Sequence, residues 1–195
     1  MHHKSRLTFE EVYAGVLERL VQGQHRPSHR IGIVELSQAL HVSTTPVREA
    51  LRQLAGRDIV VDHHREGFYL APLNARTITG LYSAHQSCVE QAVNSVAQAH
   101  PSWRRVRNLW RLFDDVTLQT KDAALIGLRR YLADRLSMVR RFETRTIGDM
   151  PARGSMLAAA LAKQDLASAH LVSLAFHQNC MARAGEFALL FNPEV

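Results

Sequence analysis

The first regular signal along the chain is the segment TFEE from Thr8 to Glu11, a capping-box pattern, after which Phe9, Val12, Val16 and Leu20 recur at helical spacing up to Gly23. This predicts a helix over about 8–22. A polar stretch, QGQHRPSHR, leads to Ile33, Leu36, Ala39 and Leu40, which mark a short second helix, and the segment His41 to Ser43 is a tight connection to a third. Ser43 or Thr44 is the N-cap of that third helix. Pro46 sits in its first turn, where a missing N–H does no harm, and Val47, Ala50, Leu51 and Leu54 form its buried stripe up to Gly56. Ile59 to Val61 and Phe68 to Leu70 then read as strands joined by a polar tip running from Asp62 to Gly67. Three helices followed by a hairpin predict a winged helix-turn-helix. The chain is punctuated at Pro72, Leu73 and Asn74, and beyond this no strand signal appears. Amphipathic stretches there predict helices at about 74–99, 102–119, 122–146, 153–163 and 165–183. The expected fold is therefore mainly α: a winged helix-turn-helix over residues 1–73 and an all-α helical bundle over 74–195.

Composition narrows the class. Of the 195 residues, 46% are hydrophobic and 22% charged, which places the chain among ordinary globular proteins. The N-terminus turns acidic before any apolar run develops, and the longest apolar stretch, Met156 to Ala162, is too short to cross a bilayer. Neither secretion nor membrane insertion is expected. Two cysteines, Cys88 and Cys180, make neither a disulfide framework nor a paired metal-ligand motif, which fits a cytoplasmic protein. No nucleophile motif, Gly-rich phosphate loop or H-E-x-x-H is present, so an enzyme is not expected. The net charge of +6 suits a polyanionic partner, but its distribution does not point to the winged segment. Residues 1–73 hold nine Lys/Arg against eight Asp/Glu, or +1, whereas 74–195 hold fifteen against ten, or +5. DNA binding therefore rests on the motif and not on the charge.

A recognition helix needs an apolar side that locks it to its neighbours, with short polar and Arg side chains in its first turns to reach base edges in the major groove. Thr44, Thr45 and Arg48 project opposite the apolar stripe, and an arginine can bond bidentately to O6 and N7 of guanine. Ser43 and the helix N-terminus suit a phosphate oxygen. At the wing tip, His63, His64 and Arg65 are placed to enter an adjacent minor groove. Arg52 and Gly67 complete the candidate DNA-binding set. The competing reading is that Arg48 is a solvated surface arginine and the hairpin a structural cap.

The stretch from Glu35 through VSTTPVREALRQL to GFYLAPL resembles the GntR family of bacterial regulators over roughly residues 9–73. That resemblance implies double-stranded operator DNA as partner, with Ser43, Thr45 and Arg48 in the DNA-contacting positions, Arg48 on a base, and Gly67 at the base of the wing. It also implies a homodimer on an inverted repeat, with repression as the usual outcome. Two positions depart from the family pattern: Thr44 and Glu66 stand where arginines are common.

Beyond residue 74 the segments LADRLSMVRRFE and MLAAALAKQDLASA resemble the FadR-type, or FCD, ligand-sensing branch of that family. Many members of this branch hold a divalent metal with one Asp and three His. Carried over position by position, these ligands fall at Leu109, Phe113, Gly154 and Phe176, the last next to His177. None matches, so no metal or other cofactor is expected. The cavity is instead expected to be more apolar. Any small-molecule effector would then have an apolar or aromatic body with an anionic head, with Leu109, Phe113, His85 and His177 as the candidate contacts. The alternative is an effector-independent DNA-binding protein whose helical domain only dimerises. His85 is either such a contact or a hydrogen-bonded core histidine. His170 and His177, seven apart on one face, are either reused ligands or ordinary histidines. Arginines 104, 105, 107 and 111, with 129, 130, 135, 140, 141 and 145, form two basic segments. These read as a solvated face paired with Asp114, Asp115, Asp134 and Glu143, or as an anion pocket or extra DNA contacts.

Overall fold

The computed structural model describes residues 7–23, 27, 29–95, 103 and 106–192. They form two compact units, one up to Pro72 and the other starting at Leu73.

In the first unit, α1 (Phe9–Val21) starts at Thr8, whose hydroxyl accepts from the Glu11 N–H while the Glu11 carboxylate accepts from the Thr8 N–H. This reciprocal cap is worth about 1 kcal/mol. Its buried face, Val12, Val16 and Leu20, packs on the third helix. α2 (Ile33–Ala39) buries Leu36 and is followed by His41 at φ 55, a left-handed residue that turns the chain so that the Val42 N–H reaches the Ser37 carbonyl. α3 (Thr44–Ala55) is anchored by Val47, Ala50, Leu51 and Leu54, all fully buried. Removing this area from water stabilises α3 by roughly 1.5–3 kcal/mol per large side chain. Ser43 is the N-cap residue, but its hydroxyl makes no cap hydrogen bond.

The wing is an antiparallel pair, β1 (Val60–His63) and β2 (Gly67–Leu70), in the register Val60 to Leu70 and His63 to Gly67. It starts one residue later and runs two residues further than the expected first strand. Phe68 and Leu70 are buried while Tyr69 is half-buried, the alternation expected of a sheet with one covered face. The segment before α2 adds a short rung: Arg30 bridges Tyr69, and the Ile31 N–H donates to the Phe68 carbonyl at 2.7 Å.

The second unit is all helical: α4 (Ala75–Asn94), α5 (Leu109–Gln119), α6 (Ala123–Arg140), α7 (Glu143–Thr146), α8 (Met150–Ala162), α9 (Leu166–Ala182) and α10 (Ala184–Phe191). Side-chain caps from Asn74, Asn108, Asp122 and Asp165 start four of them. α4 is central, packing against α5, α6, α9 and α10. No helix among the described residues is long and apolar enough to cross a membrane.

Four expectations need correction. The helix expected over 102–119 begins only at Leu109, because Asn108 caps it there; residues 102, 104 and 105 lie outside the described residues, as do 96–99 of the first expected helix. The single helix expected over 122–146 breaks at Arg141 and Phe142. There the Phe142 N–H bonds the Val139 carbonyl three residues back, and the tightened turn swings Glu143 into the core. α8 starts three residues earlier than expected, with Pro151 in its first turn. The helix expected to end the fold at 183 is followed by α10, which buries Ala184, Phe187 and Phe191.

Candidate functional site

The N-terminal unit presents an open polar surface along α3 and the wing. Ser43, Thr45, Arg48 and Arg52 are exposed and Thr44 is half-buried, opposite the fully buried stripe of the same helix. Six arginines of this unit lie among the described residues, and their surroundings divide them. Arg19 donates to the Ala39 carbonyl, Arg52 pairs with Glu49, and Arg57 lies over the Tyr13 ring. Arg48, Arg65 and Arg30 have no ion-pair partner among the described residues. The free guanidinium of Arg48 is thus available, whereas Arg52 is partly neutralised by Glu49. At the wing tip His64 and Arg65 are exposed, and Arg65 takes a left-handed conformation at φ 67. Gly67 closes that turn at φ 114, a conformation that favours glycine.

In the helical unit, three of the four candidate effector contacts meet. The His85 and His177 rings are joined by a 2.7 Å bond between His85 Nδ1 and His177 Nε2, and the Phe113 ring lies 5.4 Å from one and 5.5 Å from the other. Leu109 is buried one turn before Phe113 on α5. Trp110 and Phe176 complete the ring cluster, with Trp110 4.7 Å from His85 and Phe176 5.8 Å from Phe113.

The hydrogen bonds fix the tautomers. His177 Nδ1 lies 2.7 Å from the Ser173 carbonyl, which can only accept, so Nδ1 carries the proton and Nε2 is a bare acceptor. His85 Nδ1 must then be the donor to His177, which leaves His85 Nε2 as a lone-pair acceptor. That atom is buried with no partner. Burial drives both histidines toward the neutral form: His177 falls to about 4, and His85 is lowered well below its ordinary value by burial, with Arg129 adding to the effect. His170 is not part of this cluster; it bonds Asn94 at 2.9 Å.

Three charged residues that sequence spacing left on a solvated face are in fact buried: Arg135 on α6, and Arg129 and Glu143 beside these rings. Arg129, 1% exposed, spends one nitrogen on Asp114 at 3.1 Å and on the Trp110 carbonyl, while its Nε and Nη1 have no partner. Glu143, 2% exposed, accepts from Tyr82 Oη at 2.7 Å and from Trp110 Nε1 at 2.8 Å. Burial raises its carboxyl to about 7, opposed by those two bonds and by Arg140. The Arg140 guanidinium stacks 3.9 Å over the Trp110 ring. The expected surface pairing does hold for Arg111 and Asp115, which approach within 3.9 Å. Arg104 and Arg105 lie outside the described residues.

Residues 8–70 match the family model "Bacterial regulatory proteins, gntR family". The N-terminal domain is a GntR winged helix-turn-helix. This is the domain of a family of DNA-binding transcriptional regulators. A curated relative, the Nta operon transcriptional regulator of Aminobacter aminovorans, is 37% identical over 73 residues, which are 37% of this chain and 35% of that protein. The HTH-type regulator YdhC of Bacillus subtilis (strain 168) is 27% identical over 86 residues, 44% of this chain and 38% of that one. The matched segments thus span little more than a third of either relative. Among solved structures, a GntR-type transcriptional regulator from Rhodococcus sp. RHA1 superposes with a TM-score of 0.69 at 19% identity, covering 90% of this chain and 96% of that one. McbR/YncC of E. coli does so with 0.72 at 18%, covering 93% and 99%. At such identities the likeness is one of fold.

The resemblance of the helical segments to the FadR-type branch carries metal ligands to four positions of this chain. Leu109, Phe113 and Phe176 offer no donor atom, and Gly154 has no room for one. A β-carbon on Gly154 would stand 1.9 Å from the Arg107 carbonyl oxygen and 3.2 Å from the Leu109 nitrogen. The residues present therefore do not fit a metal, and among the described residues no group of three His, Cys, Asp or Glu side chains is arranged to hold one.

Proposed function

We propose that the protein is a sequence-specific transcriptional regulator of repressor type, which binds operator DNA as a homodimer and acts in the cytoplasm. The observation that carries this reading is the open face of α3: Arg48, exposed and without an ion-pair partner among the described residues, beside Ser43, Thr44 and Thr45, on a helix whose other face is fully buried. Arg48 reads a base. Ser43, whose hydroxyl is not spent on the helix cap, positions the helix N-terminus on a phosphate, with Thr44 and Thr45 beside Arg48 toward the base edges. His64, Arg65 and the Gly67 turn bring the wing to the neighbouring groove, and Arg52 adds charge once DNA competes with Glu49. Arg48→Ala should cost about 1–3 kcal/mol on the preferred duplex and relax discrimination at one base step. Binding isotherms on operator and scrambled DNA decide it; equal losses on both would make Arg48 a phosphate contact.

Two-fold dimerisation through the helical domain, residues 74–195, follows from the need to engage two half-sites. A monomeric mass from light scattering together with a footprint lacking two-fold symmetry would exclude it.

The helical domain is proposed to be FCD-like, metal-free and responsive to a small effector with an apolar or aromatic body and an anionic head. The two unpartnered Arg129 donors and the bare His85 acceptor support this reading, since buried polar atoms call for partners. Phe113, Leu109 and His177 supply the apolar wall. The mutual ring contacts of His85, Trp110, Phe113, Phe176 and His177 favour the second reading, a closed core that serves only to dimerise. Native mass spectrometry separates them: a retained small molecule supports sensing and a bare dimer supports the closed core. A ligand that binds only the native state adds RT ln(1 + [L]/Kd) to stability, so excess zinc, nickel or manganese should leave the melting temperature unchanged. A saturable rise would overturn the metal-free reading.

A further inference from the structure

We propose that Arg30, in the loop before α2, is a further cationic DNA contact of the N-terminal domain, gripping a backbone phosphate beside the wing. The proposal rests on the DNA-binding reading above and adds to it a residue outside both the recognition helix and the hairpin.

Three observations converge on Arg30. Its backbone is held: residue 30 bridges Tyr69 of β2 in antiparallel fashion, and the next residue, Ile31, is buried and bonds the Phe68 carbonyl. Its side chain is aimed along the wing. Residues paired across an antiparallel bridge share a face of the sheet, so Arg30 shares one with Tyr69 and, two residues away, with Gly67. On that face the guanidinium group crosses the glycine: a β-carbon at Gly67 would lie 2.7 Å from Arg30 Nε and 3.5 Å from Nη2. Gly67 thus leaves a gap that Arg30 occupies, next to the exposed tip residues His64 and Arg65.

The third observation is that this charge is unspent. Of the described arginines in the unit, Arg19, Arg52 and Arg57 are engaged by a carbonyl, a carboxylate and an aromatic ring, while Arg30, like Arg48 and Arg65, is exposed and has no ion-pair partner among the described residues. An arginine fixed at its backbone and open at its fork is pre-organised for bidentate phosphate binding. It also supplies cationic charge in a domain where Glu66 sits at the wing and Thr44 at the head of α3.

The test uses the full chain and fluorescence-labelled duplexes, one enriched from a random pool by binding to the wild type and one scrambled. Binding is measured across a salt series for the wild type, Arg30→Gln, Arg30→Ala and Arg30→Lys. Loss of one phosphate contact per bound subunit should lower the magnitude of the slope of log K against log salt by about 0.9 per subunit. In both Gln and Ala variants that loss should be equal on the two duplexes, leaving their affinity ratio unchanged, and Lys should restore most of the slope. Circular dichroism melts accompany each variant, since Arg30→Gln keeps a polar side chain but removes the guanidinium atoms that lie over Gly67. Wild-type slopes in a folded Arg30→Gln variant overturn the inference, and so does a loss confined to the enriched duplex. A wild type that binds neither duplex overturns the DNA-binding reading and this inference with it, whereas wild-type binding with an unaltered Gln slope leaves that reading standing.

Discussion

Gly154→Ala should destabilise the helical domain by about 2 kcal/mol or more, although in an open helix interior the same change stabilises by up to about 1 kcal/mol. The reason is contact with main chain. The added carbon would stand 1.9 Å from the Arg107 carbonyl oxygen and 2.6 Å from its carbon, neither of which can rotate away as a side chain does. α8 must therefore shift off the start of α5, uncovering Leu157, Ala158 and Leu161 on its buried face. Urea unfolding measures the cost, and Gly80→Ala and Gly127→Ala provide the comparison. Both lie inside helices with nothing within 4 Å of the new carbon, so they should be neutral or stabilising. A Gly154→Ala protein as stable as those two would show that the close approach is not maintained in solution. The same contact leaves no room at this position for a histidine side chain.

The N-terminal domain was legible because each of its elements is specified locally. The TFEE cap, the stripe of Val47, Ala50, Leu51 and Leu54, and the two short strands with Gly67 between them each point to one structure with no help from distant residues. The helical domain was legible in outline and less so in its charges. Arg129 is spaced with Leu125, Leu132 and Leu136 on the buried side of α6, so its position carried the signal of a core residue while its type argued for the surface. Glu143 continues that side one turn past Val139, once the break at Arg141 and Phe142 tightens the chain. Partners from α4 and α5 decide both placements, and such long-range pairings leave no periodic trace. α10 did leave one, since Ala184, Phe187 and Phe191 follow helical spacing, but Gly185 reads as a stop. On α3, spacing placed Arg48 on the exposed side, opposite the buried stripe. The placement of Arg30 against the wing left no such signal, because it depends on a bridge to Tyr69 some forty residues on.

The stability of the protein should depend on pH through Glu143 in a direction opposite to that of His85 and His177. The Glu143 carboxyl is raised from 4.5 to about 7 by burial, so between these values the folded state binds more protons than the unfolded one. Stability from this group is then fully present below about 4.5 and falls by roughly 3 kcal/mol as pH rises to 7. His177, lowered from 6.5 to about 4, does the reverse: the unfolded state binds more protons, so stability rises with pH between those values, and His85 acts in the same direction. The terms oppose each other up to about 6.5, above which Glu143 alone still titrates. Substitution isolates it. Gln is an isostere of the protonated acid; its carbonyl can accept from Trp110 Nε1 while its amide donates to Tyr82 Oη, and it has no charge to bury. Glu143→Gln should match the wild type near pH 5 and exceed it near pH 8, the difference growing by roughly 3 kcal/mol across that range. Glu143→Ala leaves the Tyr82 and Trp110 donors unsatisfied in the core and should cost about 3–5 kcal/mol near pH 5. Urea unfolding of the three proteins at pH 5, 6.5 and 8 provides the check. A Gln-minus-wild-type difference that stays flat with pH would mean that Glu143 keeps one protonation state throughout, held as an anion by Arg140 and its two hydrogen bonds.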